Sequence, residues 1–473
     1  MKILVSKEKA WILFLYIILA TIFLYFWFDI PSIYFANYGI LFLAYLIVGG
    51  IFFVGIASEK VKLFDTFTIV SMLYLMIMVI YPIYDYIRLE LTKSGVDTSS
   101  GCIKATIIFL ISYISFSCGY FRVKTHEQES QSSFIRNIES ISISEMYIIA
   151  ISCWCVAYVG CMAGQVSRGF SLSYIFSMGK NVQDDIMITS SSGGLLFLLM
   201  LTPTVIVSEL MIWIYGKSIL VKTGTLILTM IYLLMRGSRI LIFVMIAAPV
   251  VYWYLKRKKS PSIKTIIVGF FALTIIFMGV QIARVSISRG RDFRQALSEQ
   301  IFSMDAIMAL FESDFSTYKV FYGIVNAIPE KMDYLLGEGI FGYTLALVVP
   351  RAIWPGKPDA PERTVVNAAL GQLAVDNGNA YPNIGTFYSE FGVIGCIIFM
   401  YIYGYLISKA RKLYKMESKS ALILYSCLWP FCFQLTARSV SNAVYSLFFG
   451  MLPMIVAWFY SGLVHKKSIG VGK

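Results

Sequence analysis

Charged residues and histidine are scarce in this sequence. Asp, Glu, Lys and Arg make up only 14% of its 473 residues, 58% are hydrophobic, and there are two histidines. This composition excludes a soluble domain and predicts an integral membrane protein. Both histidines, His126 and His465, fall in predicted cytoplasmic loops, so neither is a candidate for chemistry on the outer face.

Cysteine is too scattered to suggest a cross-linked or metal-bound fold. Most of the eight cysteines lie in apolar runs, and Cys153 and Cys155 are two residues apart, so they would face different sides of a helix. We expect no disulfide, no metal site and no cofactor. No repeat, low-complexity tract or linker divides the chain, which predicts one integral membrane domain over residues 1–473.

Apolar runs of about 20 residues, the length that crosses a bilayer as a helix, recur along the whole chain. They predict an all-α polytopic membrane protein with about 12 transmembrane helices. The predicted spans are 10–28, 38–57, 66–87, 103–121, 146–164, 195–215, 219–235, 238–255, 264–283, 384–407, 421–437 and 442–463.

The basic residues predict the orientation of these spans. Lysine-rich clusters such as 256–259 and 409–415 fall on one side, which places both termini in the cytoplasm. The net charge of +13 therefore reflects topology and not nucleic-acid binding. Eleven of the 15 arginines, but only six of the 25 lysines, fall on the outer side.

This excess of outer arginine points to an anion. Guanidinium binds phosphate through a rigid two-donor fork, so arginines at the outer lipid boundary suit a lipid-linked phosphate or pyrophosphate. The alternative is that each arginine pairs with an outer carboxylate or extends to lipid headgroups. Within the third span, Asp85 is expected to pair with Arg88.

Two outer loops are long, at about 165–194 and 284–383. The second loop predicts an amphipathic helix over 297–311. It also contains the apolar run 340–349, which is too short to span and suits a re-entrant or interfacial helix.

The stretch 348-VVPRAIWPGKPDAPERTVVN-367 follows that run and predicts the rim of a lipid-facing cavity. Arg351 and Lys357 would face the outer headgroup layer. Segment 371–395 is predicted to re-enter the membrane as the tenth helix, with Tyr381 and Asn383 on a sugar-binding surface. Glu390 would lie inside that helix, where an ionisable group is costly and thus a functional candidate.

These residues suit transfer of a sugar from a lipid pyrophosphate, which needs cations for the leaving group and a base for the acceptor hydroxyl. Among the outer carboxylates we rank Glu390 and Glu338 first, because they flank the re-entrant run and the tenth span. The predicted cations are Arg284, Arg289 and Arg291 after span nine, Arg351, and Arg236 and Arg239 around the turn MRGSR. The alternative for MRGSR is a hairpin whose arginines cap helix ends.

The long outer loop, RGSR at 236–239, VPRAIWPGKP at 349–358 and NIGTFYSEFGVIG at 383–395 resemble the O-antigen or oligosaccharide-repeat-unit polymerases, the Wzy family. The resemblance implies a GT-C-like glycosyltransferase of the bacterial inner (plasma) membrane whose active site faces the periplasm. It would join undecaprenyl-pyrophosphate-linked repeat units and would work with a flippase and a chain-length regulator. By similarity, Arg284, Arg351 and the RGSR arginines would hold pyrophosphate or substrate.

Three other functions stay open. An O-antigen ligase would use the same donor, but the related ligases place a histidine in the large outer loop and this loop has none. A flippase would bury more ionisable groups than Glu209, Glu390 and Asp85. A lipid-phosphate-dependent mannosyl- or oligosaccharyltransferase would carry an acidic pair in its first outer loop, whereas the adjacent pair here, Asp184–Asp185, lies in a later one.

Overall fold

The computed structural model describes residues 10–123, 133–167, 194–236, 238–289, 312, 315–347, 349, 353–356, 360–376, 379–416 and 418–470. Helices dominate this part of the chain. The helices that we number are α1 Ala10–Trp27, α2 Phe35–Ala57, α3 Thr66–Arg88, α4 Cys102–Arg122, α5 Ser133–Glu139, α6 Ile143–Val166, α7 Thr202–Tyr215, α8 Ile219–Arg236, α9 Arg239–Lys256, α10 Ile263–Arg289, α11 Thr317–Ala327, α12 (a π-helical turn Glu338–Tyr343 continued by Thr344–Leu347), α13 Pro361–Leu370, α14 Gln372–Asp376, α15 Asn383–Lys415, α16 Lys419–Ala437 and α17 Val440–Gly470. A two-stranded antiparallel ribbon, β1 Thr92–Lys93 and β2 Val96–Asp97, follows α3.

Ten of the described helices are long and apolar enough to cross a membrane. Each of the twelve predicted runs coincides with a helix, although α1 and α10 contain only the shorter apolar stretches Trp11–Trp27 and Lys264–Gly279. The prediction of an all-α multi-pass membrane protein is therefore confirmed. The predicted amphipathic helix over 297–311 lies outside the described residues.

Side-chain contacts sort the helix ends into two groups. At one end, the Tyr425 hydroxyl donates to the Phe64 carbonyl at 2.7 Å. At the other, the Asn326 amide donates to Ser100 at 2.8 Å, which brings the end of α11 to the start of α4. We call this second end the loop end, because α11 and the chain that follows it pack there.

The buried side chains form two hydrophobic cores. The first lies among α2, α3, α4, α11, α13 and α15. The second lies among α6, α7, α8, α9 and α17. Helix α16 contributes to both, with Cys432 in the first core and Phe431 in the second, so it joins the two halves of the bundle.

Helices α4 and α15 cross at two glycines. A Cβ at Gly119 would collide with the carbonyl oxygen of Tyr401, and one at Gly404 with that of Phe116. Small residues allow helix backbones to approach closely where lipid supplies no hydrophobic force between helices. This reciprocal contact fixes the packing of the two helices.

Helix α15 is a hairpin of two helical arms, which corrects the prediction of a simple tenth span. The backbone leaves helical geometry at Phe391 (φ −138°, ψ 18°) and Gly392 (φ 61°, ψ −147°), the latter in the left-handed region that favours glycine. The short arm, residues 383–390, then lies beside the long arm, residues 392–415.

Contacts between the arms establish this reversal. The Cys396 thiol lies 3.6 Å from the Ile384 carbonyl oxygen, whereas twelve residues of straight helix would separate them by roughly 18 Å. The rings of Phe387 and Phe399 stack at 5.2 Å. The start of the short arm therefore lies deep in the bundle, and Glu390 lies at its outer end.

Asp85 pairs with Lys319 and not with Arg88. Its carboxylate lies 2.7 Å from the Lys319 ammonium, and both side chains are almost completely buried. The Tyr318 hydroxyl donates to the same carboxylate at 2.6 Å. Arg88 instead pairs at 2.6 Å with Glu90 on the surface. The expected i, i+3 pair was wrong because α11 supplies a closer, buried cation.

We expect Asp85→Asn and Lys319→Met each to lower the free energy of unfolding by about 3–5 kcal/mol, because each leaves a buried partner uncompensated. The double variant should lose less than the sum of the two. Unfolding in detergent, followed by circular dichroism, measures both effects. Arg88→Gln is the matched control on the exposed pair and should change little; equal losses in Arg88→Gln and Asp85→Asn would contradict this assignment.

The α4–α15 crossing gives a second stability test. Gly404→Val should lower the free energy of unfolding by about 1–3 kcal/mol or more, since the side chain must displace the backbone of α4. Gly462→Val is the control, because a Cβ there has no neighbour within 4 Å. The same detergent unfolding experiment compares the two variants, and matching stabilities would argue against the close crossing.

Candidate functional site

The carbonyl groups that the break in α15 leaves without helical partners accept hydrogen bonds from the segment that leads into α12. The amide of Leu335 donates to the Ser389 carbonyl at 3.0 Å, and the amide of Leu336 to the Glu390 carbonyl at 3.1 Å. Backbone groups at such a break need partners within an apolar bundle. The hairpin of α15 and the segment before α12 are therefore joined by main-chain hydrogen bonds.

The Glu390 side chain completes this joint. It is fully buried, and its two oxygens accept hydrogen bonds from the backbone amides of Gly337 at 2.7 Å and Ile340 at 3.2 Å. Gly337 has φ 101°, so the turn into α12 is left-handed. A Cβ at Gly339 would collide with Glu390 Oε1. A carboxylate at this position also interacts favourably with the dipole at the start of α12.

Glu338, by contrast, is exposed at the first residue of α12. Its backbone amide donates a hydrogen bond to the Leu335 carbonyl at 3.0 Å. The main chain at Glu338 is therefore ordered. The two sequence-predicted carboxylates thus meet at one joint, with Glu390 directed into the protein and Glu338 away from it.

The other end of α12 contacts α17. The Thr344 hydroxyl lies 3.1 Å from Ser441 and donates to the Gly339 carbonyl at 3.0 Å. Phe449, about two helical turns after Ser441, accepts a hydrogen bond from Thr204 at 2.6 Å, and Arg236 donates to Thr202, two residues before Thr204. Helix α12 and Arg236 therefore flank the same end of α17.

Arg236, the last residue of α8, is held by neutral acceptors. Its Nη1 donates to the Leu199 carbonyl at 2.6 Å, to the Tyr232 hydroxyl at 3.2 Å and to the Thr202 hydroxyl. Among the described residues these contacts all use one nitrogen, and none involves a carboxylate. A partly buried guanidinium that is held by neutral oxygens, with no carboxylate partner among the described residues, favours an anion as its ligand.

The other predicted cations differ in position, and the structure describes only some of them. Arg239 is half-buried at the start of α9, three residues after Arg236. Helix α10 continues through Arg284 to Arg289, so its backbone carries both positions towards the loop end. Arg291, Arg351 and Lys357 lie outside the described residues.

Tyr381 and Asn383 are buried and do not form an exposed surface. Asn383 accepts a hydrogen bond from Tyr74 at 2.6 Å, at the deep end of the short arm. The Tyr381 ring packs against Gly385 of the same arm. Both residues support the hairpin from within.

The described residues contain no group of three or more His, Cys, Asp or Glu that could hold a metal ion. Sequence reasoning did not identify Thr344, Ser441 or Thr202 as neighbours of the site. Their signal was weak, because hydroxyl groups near helix ends are common and their pairing depends on tertiary structure.

Comparison with known proteins gives one match. A family model described as O-antigen polysaccharide polymerase Wzy matches residues 16–468, which is nearly the whole chain. No curated protein and no solved structure matches the chain.

The geometry around Arg236 predicts anion binding. Arg236→Lys keeps the charge but loses the planar fork and the Nη1 contacts, so affinity for inorganic pyrophosphate should fall about 10–100-fold, the equivalent of one or two charged hydrogen bonds. Isothermal titration of the purified protein measures this. Arg122→Lys, at an exposed arginine at the opposite end that donates to Tyr401, is the matched control. Equal affinities in the two variants would reject the site.

Proposed function

The chain belongs to the O-antigen polysaccharide polymerase Wzy family, and on that premise we propose that it joins undecaprenyl-pyrophosphate-linked oligosaccharide repeat units into O-antigen or a related surface polysaccharide. It is a multi-pass membrane protein, and we assign it to the bacterial inner membrane. The loop end would face the periplasm, because the opposite end carries the lysine-rich run at 256–259 after α9.

In this reaction an acceptor sugar hydroxyl attacks the anomeric carbon of the donor glycan. The bond from that carbon to the pyrophosphate oxygen breaks, and undecaprenyl pyrophosphate leaves with the bonding electrons. Negative charge grows on the leaving oxygen, so a fixed cation beside it lowers the barrier. We assign this role to Arg236, with Arg239 and the arginines at 284, 289, 291 and 351 as further cations of the same site.

The acceptor hydroxyl must also lose its proton. Glu338 is the better placed of the two candidate carboxylates, because it is exposed at the loop end and its backbone is ordered. It would take the proton as the new glycosidic bond forms. Lys357 would contact the lipid pyrophosphate, and Tyr381 and Asn383 would support the sugar site through the hairpin.

The observation that supports this proposal most directly is the set of hydrogen bonds made by Arg236. A guanidinium fixed by three neutral oxygens at the end of a membrane helix is preorganised for an anionic group at the lipid boundary. A flippase would supply the lipid-linked unit on this side, and a chain-length regulator would act on the product.

The proposal predicts a product ladder. Purified protein in lipid vesicles, given only the lipid-linked repeat unit, should yield glycans that differ by one unit on a gel. Glu338→Gln should lower kcat about 10²–10⁴-fold, the usual contribution of a positioned base.

Glu330→Gln is the control, since Glu330 is an exposed carboxylate eight residues earlier. Absence of a ladder from folded protein with its native substrate would reject the polymerase assignment. Transfer of the glycan to added lipid A core would identify a ligase instead.

A further inference from the structure

We propose that Glu390 is a positioning residue: its buried carboxylate latches the start of α12 to the hairpin of α15 and thereby fixes the position of Glu338. This inference rests on the proposed function for the role of Glu338. It does not rest on that function for the latch itself, which is defined by contacts within the protein.

The first argument is the use of both carboxylate oxygens. One accepts from Gly337 and the other from Ile340, on either side of Glu338 in the chain. Two hydrogen bonds from one planar group fix both the distance of α12 from α15 and its rotation about its own axis. A single bond would fix only the distance.

The second argument is the fit of the surrounding backbone. Gly339 leaves no room for a side chain beside the carboxylate, and Gly392 leaves none against the ring of Tyr334. The segment at Tyr334, the start of α12 and the break in α15 therefore pack closely beside Glu390, with a glycine at both of these contacts. This close packing favours one arrangement of the three segments.

The third argument is that Glu390 is poorly placed to accept a proton from substrate. Its side chain has no exposed surface, and both oxygens already bind backbone amides. A general base must lie within hydrogen-bond reach of the proton that it removes. Glu338 meets this requirement because it is the neighbour that the latch holds on the exposed side.

The far end of α12 is held separately, by Thr344 against Ser441. Loss of the Glu390 latch would therefore leave the end that carries Glu338 held only by the main-chain hydrogen bonds of Leu335 and Leu336, while the other end stays attached to α17. Displacement of a reacting group by about 1 Å can lower turnover about 10²-fold.

The test uses Glu390→Gln and Glu390→Asp in the full-length protein. Gln presents an amide donor to one of the two backbone donors, and Asp is one methylene too short to reach both. Hydrogen exchange by mass spectrometry should be about tenfold faster or more across residues 337–343 in both variants. Glu338→Gln is the control and should leave this exchange unchanged.

Turnover in the ladder assay separates positioning from proton transfer. Glu390→Gln should lower kcat about 10²-fold together with the faster exchange. Glu338→Gln should lower kcat while the exchange stays unchanged. Glu390→Asp should recover part of the rate relative to Glu390→Gln, since it keeps a carboxylate and places no amide donor against a backbone donor.

Two results would overturn the inference: unchanged exchange in Glu390→Gln, or full activity in that variant. Failure of the wild-type protein to form a ladder would instead reject the proposed function. The exchange measurement would then still decide whether Glu390 holds α12.

Discussion

The loop end of this protein is organised by the hydrogen bonds that a broken helix leaves unmade. Where α15 reverses at Phe391 and Gly392, two carbonyl groups lose their helical partners inside an apolar bundle. The amides of Leu335 and Leu336 replace those partners, and the Glu390 carboxylate satisfies amides at the start of α12. These hydrogen bonds hold together α15 and α12, the two elements that carry the candidate carboxylates.

Much of the fold could be predicted from the sequence, because the length of an apolar run is set by the thickness of the bilayer. The runs at 219–235 and 238–255, for example, correspond to α8 and α9 within one residue. The hairpin in α15 could not be predicted in this way, since the short arm NIGTFYSE leads directly into the apolar long arm and a reversal between them leaves the apolar run unchanged. Gly392 was its only local signal, and glycine is common in membrane helices.

The candidate site was predicted less well, because its geometry depends on contacts between distant parts of the chain. Arg236 could be identified from its position at a helix end, and Glu338 from its position beside a short apolar run. Whether a carboxylate faces solvent or backbone amides cannot be read from its neighbours in sequence. Glu390 and Glu338 therefore ranked together, although the structure directs them to opposite sides of one joint.

The buried pair of Asp85 and Lys319 has a consequence for biogenesis. Tyr318, the neighbour of Lys319 that also binds Asp85, is 233 residues further along the chain. During synthesis the third span must enter the bilayer long before its partner is made, so it carries an uncompensated acid through about half of translation. The first core can reach its final packing only after α11 has been synthesised, and the amino-terminal helices must wait for a segment from the last third of the protein.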